Sequence, residues 1–296
     1  MAVSECLNYI DEHGLELVEH GNAAFPAAVY NDDLYEEDVE WHWHKEFEFI
    51  IQAEGASVVT TGSEKYLLKE GDGLFINSEI LHSGFHADTP ACRYHSFVFH
   101  PALIGGSFES VFWNRYLHPL IENKALQGFY FDQKVPWQKE VLNALEYGWQ
   151  CFAKETMGYE FAVRESLSKL ILVICTNSSR QKNSPSPKAL RDGERMKLMM
   201  QYISEHFSDE ITIANLADCA MISESEVLRC FHNTIGNTPI QYVKQFRIHK
   251  AAALLTSTDL KIVDIGNFCG FQEMSYFAKS FKKIYGCTPT EYRLQG

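Results

Sequence analysis

The C-terminal end of this chain carries the same short pattern twice. Cys219, Ser225, Phe231, Gly236, Thr238, Pro239 and Tyr242 recur fifty positions later as Cys269, Ser275, Phe281, Gly286, Thr288, Pro289 and Tyr292. Val227/Phe277 and Arg229/Lys279 keep their character across the same interval. Seven identities in a 24-residue window exceed what chance supplies. Two copies of one supersecondary unit are therefore expected.

Each copy reads as two short helices joined by a tight turn. In the first, Thr212 is an N-cap and Ile213, Leu216, Ala217 and Ala220 form an apolar stripe. Met221-Ile222 make the turn, and Ser223 caps a second helix that buries Val227 and Phe231 and stops at Gly236. In the second, Ile262, Ile265 and Cys269 form the stripe, Gly270 sits at the turn, and Phe277, Phe281 and Ile284 are buried. Ile240, Val243, Phe246, Ile248, Ala251, Leu254 and Leu255 suit one long helix between the copies.

The outward face of each second helix has its own pattern. Ser225, Leu228, Arg229 and His232 share one stripe, and Ser275, Ala278, Lys279 and Lys282 are their mates. Small residues with long cations suit a helix pushed into a DNA major groove. The competing reading is a helical bundle with two solvated charged faces. Charge supports the first. The chain carries −13 overall, yet residues 188–296 hold 13 Lys+Arg against 12 Asp+Glu, which leaves 13 against 27 for the rest.

This third resembles the AraC/XylS family of transcription regulators. The matching residues are Ile213-x-x-Leu216-Ala217, Ser223-x-Ser225-x-Val227-x-Arg229-x-Phe231, Gly236-x-Thr238-Pro239, Arg247-x-x-x-Ala251-x-x-Leu254-Leu255 and Ile262-x-x-Ile265. Cys269-Gly270-Phe271, Ser275-Tyr276-Phe277, Phe281-Lys282, Gly286, Pro289 and Tyr292-Arg293 continue the signature. The resemblance implies two helix-turn-helix units reading adjacent segments of double-stranded DNA. It puts the base-contacting positions on Ser225, Leu228 and Arg229, then on Met274, Ser275, Ala278 and Lys279, with His232 and Lys282 beside them. His232 stands where the family usually has lysine, and Glu224 and Glu226 add negative charge. The first unit is thus expected to grip phosphate less than the second.

Residues from about Ala24 to Phe99 read as short strands, with Phe47–Ile51, Ala56–Thr60 and His95–Phe99 the clearest. Turn signals at Glu54-Gly55, Thr61-Gly62 and Glu70-Gly71-Asp72-Gly73 break them into a barrel or sandwich. His42, His44 and Glu48 have the same parity, so in one strand they face the same side. With His82 they offer three imidazoles and a carboxylate, a set able to bind a divalent metal. The spacing His42-x-His44-x₃-Glu48-x₆-Gly55 resembles the first cupin motif, and Gly71-Asp72 with His82 resembles the second without its Pro-x-Gly element. The reading adopted is a cupin-like pocket in which these four residues, with Tyr30 near the entrance, hydrogen-bond a small-molecule effector, a sugar by preference. No metal or cofactor is assigned. A bound divalent ion on His42, His44, Glu48 and His82, and a metal-binding cupin enzyme with an accessory helical domain, are the alternatives. Trp41 and Trp43 have the opposite parity and are read as packing residues.

After Pro136 the period becomes helical, with Val141, Leu145, Trp149 and Phe152 in one stripe and Val163, Leu167, Leu170, Ile171 and Ile174 in the next. The family resemblance makes these helices a homodimer interface; covering the chain's own barrel is the other option. The polar stretch Asn177–Pro187 reads as a linker. The expectation is an α+β chain of two domains: a cupin-like sensor at 1–132 flanked by helices at 133–177, a linker at 178–192, and an all-α double helix-turn-helix domain at 193–296. No targeting or membrane segment is evident, and the eight cysteines form no Cys-x-x-Cys pair. A cytoplasmic regulator with free thiols, no enzymatic activity, and RNA polymerase as a further partner if it activates, completes the reading.

Overall fold

A computed structural model describes residues 20–35, 38–178 and 185–295. They form two compact units that divide between Arg191 and Asp192.

The first unit is built on eight antiparallel strands: β1 (Ala27–Asp33), β2 (Val39–His42), β3 (Phe47–Thr61), β4 (Glu64–Lys69), β5 (Gly73–Ile76), β6 (His82–His86), β7 (Cys92–Phe99) and β8 (Gly128–Phe131). β3 belongs to two sheets. Its first half pairs with β5 and β7 in the order β1-β7-β3-β5-β8, and its second half pairs with β4 and β6, with β2 beyond β6. The two segments read from the sequence as separate strands, Phe47–Ile51 and Ala56–Thr60, are thus one strand. Glu54-Gly55 is a bend within it rather than a turn ending it.

The bend is a bulge, since pairing with β7 slips between Gln52 and Glu54. Gly55 has φ +70°, and a Cβ there would lie 1.8 Å from the Ala91 carbonyl oxygen. Buried Gln52 satisfies the bulge: its Nε2 donates to the Glu54 and Arg93 carbonyls, and its Oε1 accepts from Ser57 Oγ at 2.5 Å. The expected turns at Thr61-Gly62 and Glu70–Gly73 do connect strands, with φ +55° at Gly62 and +85° at Gly71.

Strand alternation sorts the two faces. Phe47, Phe49, Phe75, Phe97, Phe99 and Phe131 point to one side. There they meet α3 (Pro136–Ala153) and α4 (Tyr159–Asn177) through Val141, Leu145, Trp149, Val163, Leu167, Leu170 and Ile174. Ile50, Leu74, Ile76, Leu68, Val59 and Tyr94 make a second core on the opposite face. The apolar stripes of α3 and α4 are therefore spent on the chain's own barrel. Before them come α1 (Ala102–Gly105), a π-helical turn (Trp113–Leu117) and α2 (His118–Glu122).

The second unit is helical: α5 (Pro187–Glu205), α6 (Ile213–Cys219), α7 (Glu224–Thr234), α8 (Pro239–Ser257), α9 (Ile262–Phe268), α10 (Met274–Tyr285) and α11 (Pro289–Gln295). α5 begins at Pro187, so the last residues of the expected linker are helical. Residues 179–184 of that linker lie outside the described residues. Thr212 forms a capping box with Asn215, and Ser223 and Thr238 cap α7 and α8, because each hydroxyl accepts an otherwise unpaired first-turn N–H.

The repeat is offset in an unexpected way. Ile222 N donates to the Ala217 carbonyl and Phe271 N to that of Gly266, a spacing of 49. Buried Leu216, Ala217 and Ala220 match Ile265, Gly266 and Cys269 at the same spacing. From the caps onward, at Ser223 and Glu273, the spacing is 50. The second turn holds one extra residue, and the Cys219/Cys269 identity is out of structural register: Cys219 ends α6, whereas Cys269 is a buried core residue after α9.

Gly55→Ala is expected to destabilise the barrel by at least about 2 kcal/mol, from left-handed strain plus the clash at Ala91. Gly158→Ala is the control. Gly158 is left-handed (φ +81°, ψ +15°) and a Cβ there meets only Phe161 Cδ2 at 4.0 Å, so only about 1 kcal/mol of backbone strain applies. Chemical denaturation of both variants checks the difference.

Candidate functional site

Inside the barrel, His42, His44, Glu48 and His82 converge, each buried, with one ligand-type atom apiece all within 4.8 Å of one another. His42 ends β2 and pairs directly with His82 at the start of β6. Glu48 lies on β3, on the inward parity between Phe47 and Phe49. His44 sits in the connection from β2 to β3, which the segment before β6 holds in place. Glu79 N donates to the His44 carbonyl at 2.8 Å and Ser78 Oγ to that of Lys45 at 2.7 Å. The four residues singled out in the sequence are thus brought together. They do not share the one strand expected from parity: the chain breaks after His42, and three strands supply the cluster.

Each imidazole is fixed by its Nδ1. His42 faces the Glu40 carbonyl at 2.8 Å, His44 that of Glu46 at 3.2 Å, and His82 that of Ile80 at 2.7 Å. On the other side of the rings, His82 Nε2 is 2.9 Å and His44 Nε2 is 3.5 Å from Glu48 Oε2. Burial alone would raise the Glu48 pKa, but the two adjacent imidazoles outweigh it and hold the carboxyl well below the usual range.

Tyr30 is buried rather than at an entrance. Its hydroxyl is 2.7 Å from His20 Nδ1, and the His20 ring stands edge-on to that of His44 at 5.5 Å. His20 was not singled out in the sequence; it lies in a polar stretch with no periodicity to mark it. Trp41 is buried, in keeping with a packing role. Asp72, of the Gly71-Asp72 element, belongs to a turn: it accepts from Lys69 N at 3.0 Å and from Tyr130 Oη at 2.7 Å. Carbonyl-oriented imidazoles with a buried carboxylate can hold either a polar ligand or an ion.

In the helical unit, Ser225, Leu228 and His232 on α7 are exposed and Arg229 is half-buried. On α10, Ser275, Lys279 and Lys282 are exposed, while Ala278 and Met274 are half-buried. Met274 packs inward over Gly266, where a Cβ would meet its sulfur at 2.7 Å. Arg229 is folded onto its own helix, its Nη2 2.7 Å from Glu226 Oε1. Lys279 has no ion pair among the described residues. Arg247, part of the sequence signature, is a bracket: it donates to the Phe207 carbonyl at 2.7 Å and to that of Asp209 at 2.6 Å.

Residues 216–295 match a family model described as a helix-turn-helix domain, and residues 28–133 match one described as an AraC-like ligand binding domain. The chain is 27% identical over 287 residues to the uncharacterized HTH-type transcriptional regulator YdeC of Bacillus subtilis, covering 96% of this chain and 97% of that protein. It is 27% identical over 245 residues to the arabinose operon regulatory protein of Salmonella typhimurium, covering 81% and 80%. With the HTH-type transcriptional activator RhaR of Mannheimia succiniciproducens it shares 28% identity over 141 residues, 48% of this chain and 50% of that one.

The turn of the first unit places Met221 at φ +52°, where the second unit has Gly270 at +76°. Met221 is exposed, so its side chain offsets little of that strain. Met221→Gly is expected to stabilise the helical unit by up to about 1 kcal/mol. A rise in the melting temperature of that unit, followed by circular dichroism, checks it.

Proposed function

The chain belongs to the AraC family of transcription regulators, and we propose that an effector held in its barrel changes how α7 and α10 meet DNA. The N-terminal unit is the ligand-binding domain and the C-terminal unit the DNA-binding one. The observation that carries the DNA reading is the matched pair of exposed faces on the second helix of each repeat. α8, at 19 residues, spans about 28 Å, close to one turn of B-DNA, which suits reading of successive major-groove segments.

Ser225, Leu228, Arg229 and His232 form the first contact set, and Met274, Ser275, Ala278, Lys279 and Lys282 the second. Met274 supports α10 from the core side as well as flanking its face. The Arg229–Glu226 pair favours the second unit as the stronger grip, since Arg229 must leave its carboxylate to reach DNA.

The effector reading assigns Tyr30, His42, His44, Glu48 and His82 to the pocket and rests on the buried His44 Nε2, His82 Nε2 and Glu48 Oε2, which lack hydrogen-bond partners. A carbohydrate is the proposed class, supported by the similarity to a protein named for the arabinose operon. Similarity to a named activator supports positive control, with RNA polymerase as a further partner. No residue is assigned a catalytic role, and the protein is taken to work in the cytoplasm; no helix among the described residues is long and apolar enough to cross a membrane. A homodimer is proposed through the outer faces of α3 and α4. Tyr147, Phe161 and Leu172 are exposed there, while the stripes beneath are used by the barrel. Effector binding then acts as a population shift between dimer or domain geometries that differ in effector affinity.

Lys279→Ala is expected to weaken binding to DNA from upstream of the gene by roughly tenfold and to reduce the salt slope by about one ion. Arg229→Ala should cost less, and Glu226→Gln should strengthen binding by freeing Arg229. Fluorescence anisotropy across a salt series measures all three; equal losses for Lys279→Ala and Arg229→Ala would contradict the ranking. Phe161→Glu combined with Leu172→Glu should shift sedimentation from dimer to monomer without loss of helicity.

A further inference from the structure

Arg229 shares its carboxylate partner with α5, a helix of the same compact unit. Arg195 of α5 has its Nη1 3.3 Å from Asp192 Oδ1, one turn earlier on that helix, and 3.9 Å from Glu226 Oε1. Arg229 Nη2 lies 2.7 Å from the same Glu226 oxygen. Asp192, Arg195, Glu226 and Arg229 thus form a row of alternating charge that runs from α5 to the outward face of α7. Side-chain exposure rises along it, from 10% at Asp192 through 27% and 33% to 40% at Arg229. The row is anchored by burial at α5 and loose at α7. Burial, and then the charge of Asp192, push the neighbouring Cys230 thiol up to about 11, so it stays neutral and outside the row.

Two features make the outer end adjustable. One Glu226 oxygen faces two guanidinium groups that repel each other, so drawing Arg195 toward it drives Arg229 off. In its present pose Arg229 also keeps Nε buried with no hydrogen-bond partner. A buried N–H left unpaired is costly, and a pose directed outward from α7 relieves that cost. The second unit is built differently: fifty positions on, Tyr276 stands for Glu226 and Lys279 for Arg229, so that cation has no carboxylate one turn back.

We infer that Asp192 and Arg195 are positioning residues for DNA recognition: Asp192 holds Arg195 back from Glu226, and the Glu226 charge left over decides how far Arg229 is free for DNA. The inference rests on the reading of Arg229 as a DNA-contacting residue. It gives opposite signs to two changes that break the same ion pair. Without the Asp192 charge, Arg195 moves onto Glu226 and releases Arg229. Without Arg195, Glu226 belongs to Arg229 alone and retains it. A pair that merely fastened α5 to α7 gives the same sign for both.

The test uses the full-length chain and fluorescent DNA from upstream of the gene, at one fixed salt concentration. Asp192→Asn is expected to tighten binding about threefold and Arg195→Gln to weaken it about threefold, the scale of a partly exposed ion pair. Arg195→Lys should restore most of the loss. Both changes also alter net charge, so the deciding measurement is a double-mutant cycle with Glu226→Gln. A through-space charge effect persists in that background, whereas the positional effect disappears. Persistence, or shifts of the same sign in the two single variants, overturns the inference. If Asp192→Asn does not fold by circular dichroism, Arg195→Gln and Arg195→Lys, each with and without Glu226→Gln, decide. Arg229→Ala separates the two claims. If it leaves binding unchanged, the reading of Arg229 falls and the inference with it. If it weakens binding while the cycle shows no coupling, the inference alone falls.

Discussion

At Gly55 the backbone of β3 takes a left-handed turn against the Ala91 carbonyl, and the barrel closes because of it. His82 pairs with Thr61, thirteen residues along β3 from Glu48. On a straight strand that is about 43 Å. Yet the two side chains come within 2.9 Å. Only a strand that leaves one sheet and enters another can bring them together. Gln52 makes the bend tolerable by bonding the carbonyls that the bulge removes from the ladder. The polar cluster is thus a product of backbone geometry first and of side-chain choice second.

The same strand sets the layering. Odd positions of its first half carry phenylalanines toward α3 and α4, and even positions carry Glu48 and Ile50 inward. Trp149 shows how firmly the helices are seated: its Nε1 donates to the Tyr30 carbonyl of β1 at 3.1 Å, and its ring stacks on His95 of β7 at 3.7 Å. His95 in turn is bonded to Glu146 at 2.9 Å. A helix pair so bound to its own barrel has only its outer face left for another chain.

Much of this was legible in the sequence, for reasons that differ between the halves. The helical third reports itself through local chemistry: caps at Thr212 and Ser223, a C-terminal glycine at 236, and apolar residues at helical spacing. The four barrel residues were also found, because histidine and glutamate at short intervals stand out in a β-rich stretch. What escaped is non-local. Nothing in the sequence distinguishes a glycine that ends a strand from one that bends it, so Gly55 was read as a turn. Tyr30 was set at the entrance because pattern alone carries no depth, and His20 has no local signal at all. The pairing of Arg229 with Glu226 needed side-chain positions, although the three-residue spacing permitted it.

The extra residue in the second helix-turn-helix turn has a practical consequence for protein engineering. From Ser223 and Glu273 onward the copies run in step, so an outward-facing helix could be transplanted from one copy to the other with its neighbours intact. A graft that begins at α6 or α9 carries the mismatch with it. Aligned at fifty, its first helix would sit one position out of step, about 100° round, and carry Leu216 or Ile265 off the core face. The two copies are interchangeable as helices and not as units.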